Sequence, residues 1–232
     1  MLEKLKAEVY EANIALQKHG LVILTWGNVS GIDRESGLVV IKPSGVEYDK
    51  MSPDDMVVVD LNGNVADGSL KPSSDTPSHI ALYKGFPNIG GITHTHSTWA
   101  VGFAQAGVPI VQMGTTHADY FYKSIPVTRD LTVEEINNDY EYNTGLCIVE
   151  TIKDLGASEI EMPGVLVKNH GPFTWGKNAA ESVHNAVVLE EVAKMFVITK
   201  MINVSAPPMA SALMDKHFLR KHGPGAYYGQ RQ

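Results

Sequence analysis

The chain carries one cysteine, Cys147, in 232 residues. One thiol cannot close an internal disulfide, so nothing covalent staples the fold, and a buried Cys147 in a reducing compartment is expected. Long hydrophobic runs are missing as well. None approaches the roughly 20 residues that span a bilayer, and no apolar targeting segment follows Met1. Together these absences predict a cytoplasmic protein with no membrane partner. Positive charge is scarce: 19 Lys+Arg face 26 Asp+Glu, a net charge of −7. That balance argues against a nucleic-acid partner. It leaves room for a small phosphorylated ligand, because an anion site needs only local donors. Repeats, low-complexity tracts and linker-like stretches are absent too, so 1–232 is expected to form a single domain.

What the chain does have is core material. Hydrophobic residues make up 44% and charged residues 19%, and a chain of this size removes about 70% of its surface from water on folding. Leu2, Leu5, Val9, Ala12 and Leu16 recur at helical spacing, with His19-Gly20 as the stop. Leu21–Thr25, Leu38–Lys42, Met56–Asp60 and Gly164–Lys168 read as strands, and Asn62-Gly63 as a hairpin turn. Thr76-Pro77 reads as an N-cap and first helical residue, Ser97 and Gly107 bracket another helix, and Thr132-Val-Glu-Glu135 is a capping box opening a helical region towards Ile152. Asn178 opens a long helix. Pro207-Pro208 separates it from a C-terminal segment, about 207–232, with a last helix ending near His222, and this segment is expected to dock against its own subunit or a neighbour. Strands alternating with helices predict a three-layer α/β/α domain around a mixed, largely antiparallel sheet.

The chemistry gathers around Gly91-Ile-Thr-His-Thr-His-Ser97. In an extended strand His94 and His96 share a face, and two imidazoles so placed can chelate one divalent ion. His170 ends another strand-like run, and Asp75 is a fourth oxygen ligand or a nearby base. Three histidines at strand ends suit a catalytic metal with an open position better than a closed structural site. Three polar turns, Gly27-Asn28, Ser44-Gly45 and Ser73-Ser74, offer hydroxyls and backbone N–H groups for a phosphate or polyol, with Lys42 close in sequence. Taken singly, each is ordinary turn chemistry.

Seven ordered words run through nearly the whole chain: Thr25-Trp-Gly-Asn-Val-Ser30, Ile41-Lys-Pro-Ser-Gly45, Lys71-Pro-Ser-Ser-Asp-Thr76, His94-Thr-His96, Gly114-Thr-Thr-His-Ala-Asp-Tyr-Phe121, Asn169-His-Gly-Pro-Phe173 and Ala226-Tyr-Tyr-Gly-Gln230. On these words the chain resembles the L-ribulose-5-phosphate 4-epimerases of the class II aldolase/adducin family. The resemblance implies that His94, His96 and His170 bind the metal, usually zinc, with Asp75 at or near it. Manganese or cobalt are the alternatives. It implies a phosphate site at Gly27, Asn28, Ser44, Gly45, Ser73 and Ser74, and an acid/base pair of Asp119 and Tyr228. It also implies a homotetramer with active sites between subunits and a phosphorylated pentulose as substrate. His117, His217 and His222 lie near these words; capping or packing is expected of each, with His222 the nearest to a phosphate role.

One residue sorts the branches. Sugar-phosphate aldolases of the family resemble this chain in their histidines but carry Glu where Asp75 stands. The reaction so implied interconverts L-ribulose 5-phosphate and D-xylulose 5-phosphate at C4. The C4 hydrogen is not next to the carbonyl, so breaking and remaking C3–C4 is the assisted route, with charge on oxygen stabilised by a Lewis acid. The rival readings are an aldolase of the fuculose-1-phosphate type, which releases both fragments, and a non-enzymatic scaffold like the adducin head.

Overall fold

Seven strands join edge to edge in the computed structural model, which describes residues 1–223 and 225–227. They are β1 (Asn28–Asp33), β2 (Leu38–Ile41), β3 (Val57–Asp60), β4 (Val65–Asp67), β5 (Gly91–His94), β6 (Gly164–Val167) and β7 (Gly171–Gly176). Their order is β4-β3-β2-β1-β5-β7-β6, and every neighbouring pair is antiparallel. Among the described residues the one parallel contact is an isolated bridge between Val127 and Leu166. The helices are α1 (Glu3–Lys18), α2 (Thr76–Gly85), α3 (Thr98–Ala106), α4 (Thr115–Ala118), α5 (Val133–Asn137), α6 (Tyr140–Asp154), α7 (Ala179–Ile202) and α8 (Ser211–His222).

Strand alternation divides the core in two. Val29, Val40 and Val58 face α1 and the start of α7, where Val9, Leu16 and Val183 meet them. Val39, Val59, Ile92, Phe173 and Trp175 face the other way, against Ile80, Tyr83 and Ile148 of α2 and α6. Helices thus cover both faces of the sheet, the three-layer arrangement that the sequence implies. No helix among the described residues is long and apolar enough to cross a membrane.

Four local expectations shift. Leu21–Thr25 is not a strand: Leu24 takes a left-handed φ of 55° and is 73% exposed, a backbone that no strand tolerates. Pairing begins instead at Asn28, opposite His94. Thr76 is the first residue of α2 and Asp75 its N-cap. The capping box at Thr132 is formed, but it opens only α5; Asp139, at φ 50°, separates α5 from α6. Finally, Gly171–Gly176 forms β7, a strand outside the expected set.

Candidate metal centre

Sheet register builds the centre. Asn28, His94 and Phe173 pair across β1, β5 and β7, so their side chains share one face in one row. His94 is 1% exposed and stacks on Phe173, with ring centroids 4.2 Å apart. Its Nδ1 lies 3.0 Å from the Pro172 carbonyl. A carbonyl only accepts, so Nδ1 carries the hydrogen and Nε2 presents its lone pair outward. Burial pushes His94 down to about 3, which keeps this imidazole neutral and able to ligate at neutral pH. His96, two residues beyond the end of β5, sets its Nε2 3.1 Å from that of His94.

The third imidazole arrives from the β6–β7 hairpin. Asn169 takes the left-handed φ of 62° that closes the turn, and His170 N–H donates to Val167 O at 3.0 Å. The His170 ring lies 4.7 Å from that of His94 and 5.0 Å from that of His96. Ligand atoms of the three lie within 4.8 Å of one another. Two nitrogens on one tetrahedral ion at 2.0–2.1 Å sit roughly 3.4 Å apart, so the trio fits a divalent metal with little rearrangement. Burial also lowers His96 and His170. Tyr140 Oη stands 3.5 Å from His170 Nδ1, a supporting contact that the sequence did not reveal.

Asp75 joins this group through Asn28. The Asn28 amide donates to Asp75 Oδ2 at 2.6 Å and to Ser73 Oγ at 3.1 Å. Burial alone would raise the Asp75 carboxyl; the His94 and His79 imidazoles and the Asn28 amide outweigh it and hold it below the usual carboxylate range.

The polar turns are brought together as well. Ser44 N–H donates to Lys71 O, Ser73 N–H to Lys42 O, and Pro43 bridges Pro72. This lacing sets Ser44-Gly45 beside Ser73-Ser74, and Asn28 ties the pair to β1. Those two amides serve the chain, so Ser44 and Ser73 can offer a ligand their hydroxyls. Gly27 is required where it stands: a Cβ would meet His94 O at 2.9 Å, at φ +92°. Lys42 is not aimed into this pocket. Its ammonium is buried against Tyr48 and donates to the carbonyls of Val46 (2.7 Å) and Pro43 (3.3 Å), so it shapes the Ser44-Gly45 turn from beneath. Burial drops it to about 8.

Asp119 stands apart. It ends α4, just before Tyr122, whose N–H binds Glu161 O ahead of β6; His170 follows the far end of that strand. Three side chains of α8 converge on its carboxylate: the His217 imidazole at 3.0 Å, the Arg220 guanidinium at 3.1 Å and the Lys221 ammonium at 3.6 Å. Burial opposes ionisation, but these partners hold Asp119 below its ordinary value. His222 Nε2 lies 2.9 Å from the Asp119 carbonyl, while His117 is buried and contacts Lys123 O at 2.7 Å. Tyr228, the other acid/base candidate, lies outside the described residues.

Comparison with known proteins follows the same outline. The family model "Class II Aldolase and Adducin N-terminal domain" matches residues 7–197. An L-fuculose 1-phosphate aldolase superposes with a TM-score of 0.78 at 26% identity, covering 92% of this chain and 94% of its own. An L-fuculose 1-phosphate aldolase from Glaciozyma antarctica gives 0.77 at 18% identity, covering 93% and 80%. The L-fuculose-1-phosphate aldolase from Thermus thermophilus gives 0.69 at 22%, covering 89% and 99%.

Proposed function

Because the chain belongs to the Class II Aldolase and Adducin N-terminal domain family, we propose that it uses a divalent metal, zinc by preference, to break and remake a carbon–carbon bond in a sugar phosphate. Our finer reading is the C4 epimerisation that interconverts L-ribulose 5-phosphate and D-xylulose 5-phosphate. The observation that carries the reading is the convergence of His94, His96 and His170 beside Asp75, with the His94 tautomer fixed by Pro172.

The bound ion supplies Lewis acidity where negative charge develops on oxygen during cleavage. The chain's residues do the rest. Asn28, Ser44, Gly45, Ser73 and Ser74 grip the phosphate end, so the aldehyde fragment stays tethered while it turns its other face. Asp119 takes or returns the proton on the C4 oxygen from one face and Tyr228 from the other. Asp119 sits at the opposite end of β6 from the histidines, which supports a site completed by a neighbouring copy, as in a homotetramer. The shorter reach of Asp75, compared with the Glu of the aldolase branch, supports the epimerase reading.

The aldolase reading keeps a specific observation in its favour: the 26% identity to an L-fuculose 1-phosphate aldolase. Purified protein supplied with L-ribulose 5-phosphate and, separately, with L-fuculose 1-phosphate separates the two. Conversion to D-xylulose 5-phosphate that chelation abolishes supports the epimerase; stoichiometric release of two fragments supports the aldolase. Turnover of neither would defeat both.

A further inference from the structure

His94 and His170 are each held from outside the centre, by Pro172 O and by Tyr140. Among the described residues no group outside the centre hydrogen-bonds the His96 ring; the Trp26 ring stands beside it, with centroids 6.3 Å apart. His96 is the exposed member of the trio, and it lies between the last strand residue, His94, and the N-cap of α3, Ser97. Its position therefore depends on how firmly the start of α3 is fixed.

The start of α3 is capped in an unusual way. Ser97 has the residue type and the place to cap it, yet its side chain makes no capping hydrogen bond, and its Oγ instead receives the Thr95 hydroxyl at 3.3 Å. The orphan amides are met from far along the chain. Glu190, midway along α7, accepts from Trp99 N–H on Oε1 and from Ala100 N–H on Oε2, each at 2.9 Å. A carboxylate bound by two amides at a helix N-terminus is a strong, directional contact. It clamps the chain three residues after His96 to the helix that also packs under β5 and β7.

From this geometry we infer that Glu190 is a positioning residue for His96, fixing this metal ligand through the first turn of α3. The inference rests on the metal-site reading above. Supporting partners beyond the ligands typically change metal affinity 10–100-fold. Glu190 acts through backbone, so the low end is expected.

The test measures Zn2+ affinity by chelator competition, and the Co2+ absorption spectrum, for the wild type, Glu190→Gln, Glu190→Ala and the double variant Glu190→Ala/Thr98→Asp. The exposed Thr98→Asp replaces the lost helix-end charge locally without restoring the link to α7. Expected are an about tenfold weaker Zn2+ Kd in both single variants, an altered Co2+ spectrum, and a double variant that regains thermal stability while its Kd stays weak. Unchanged Kd in Glu190→Gln, or recovery of both properties by Thr98→Asp, would make Glu190 a plain helix cap and overturn the inference. A wild type that binds no Zn2+ would sink the metal site itself, a separate result from tight wild-type binding that ignores Glu190.

Discussion

Asn28→Ala removes one amide that serves both halves of the centre. Asn28 is 3% exposed, and its Nδ2 donates to the Asp75 carboxylate at 2.6 Å and to the Ser73 hydroxyl at 3.1 Å. A hydrogen bond to a charged acceptor contributes about 1.5–3 kcal/mol, and a neutral one about 1. The loss should therefore be roughly 2–4 kcal/mol, a fall of about 1–2 M in the urea midpoint for a slope near 2 kcal/mol/M. The site should change as well. Asp75 loses a donor that favours its ionised form, and the Ser73 turn loses its tie to β1 beside His94. A looser phosphate grip lets the aldehyde fragment escape before re-addition. Urea unfolding measures the first effect; a carbonyl trap for freed aldehyde, scored per turnover, measures the second. A stability loss below about 0.5 kcal/mol, or freed aldehyde no higher than in the wild type, would refute the dual role.

Two further outcomes follow from other parts of the molecule. Burial holds His117 down to about 4 in the folded state against 6.5 for the free side chain. The unfolded chain thus takes up the proton first, and stability falls as pH drops from 6.5 towards 4, by at most about 1.4 kcal/mol per pH unit from this group. His117→Gln should flatten that acid slope in denaturation curves, and an unaltered slope would contradict it. If sites are shared between copies, His94→Asn and Asp119→Asn should each be inactive alone but regain part of the activity when unfolded and refolded together. Mixtures that stay as inactive as their components would confine each site to one chain.

Much of the fold is legible in the sequence wherever local signals and tertiary demands agree. The capping box at Thr132, the Asn178 cap whose Oδ1 accepts from Glu181 N–H at 2.8 Å, and the Gly107 stop at φ 67° all form at their expected places. The failures are tertiary. β7 was hidden because Gly171, Pro172 and Gly176 look like turn residues; yet Pro172 needs no donor, and its carbonyl serves both His94 Nδ1 and Thr95 N–H. The Leu21–Thr25 run has strand composition but, among the described residues, no strand opposite it. In the site, the His94–His96 pair shows in its spacing, and His170 in its place at the end of a strand-like run. Phe173 beneath His94, Tyr140 beside His170 and Glu190 under α3 do not show, because sheet register and helix packing, rather than any motif, bring them there. Lys42 misled in the opposite sense: close in sequence to the phosphate turns, it is turned inward against Tyr48.

The most direct measurement follows the C4 hydrogen. L-Ribulose 5-phosphate deuterated at C4 is converted by the metal-loaded protein in ordinary water, and the label in D-xylulose 5-phosphate is read by mass spectrometry. Cleavage and re-formation of C3–C4 leave the hydrogen on its carbon, so the product should keep its deuterium, with a ¹³C isotope effect at C3 and C4. Product in which the deuterium has washed out to solvent would mean direct deprotonation at C4 and contradict carbon–carbon cleavage at the His94, His96 and His170 centre.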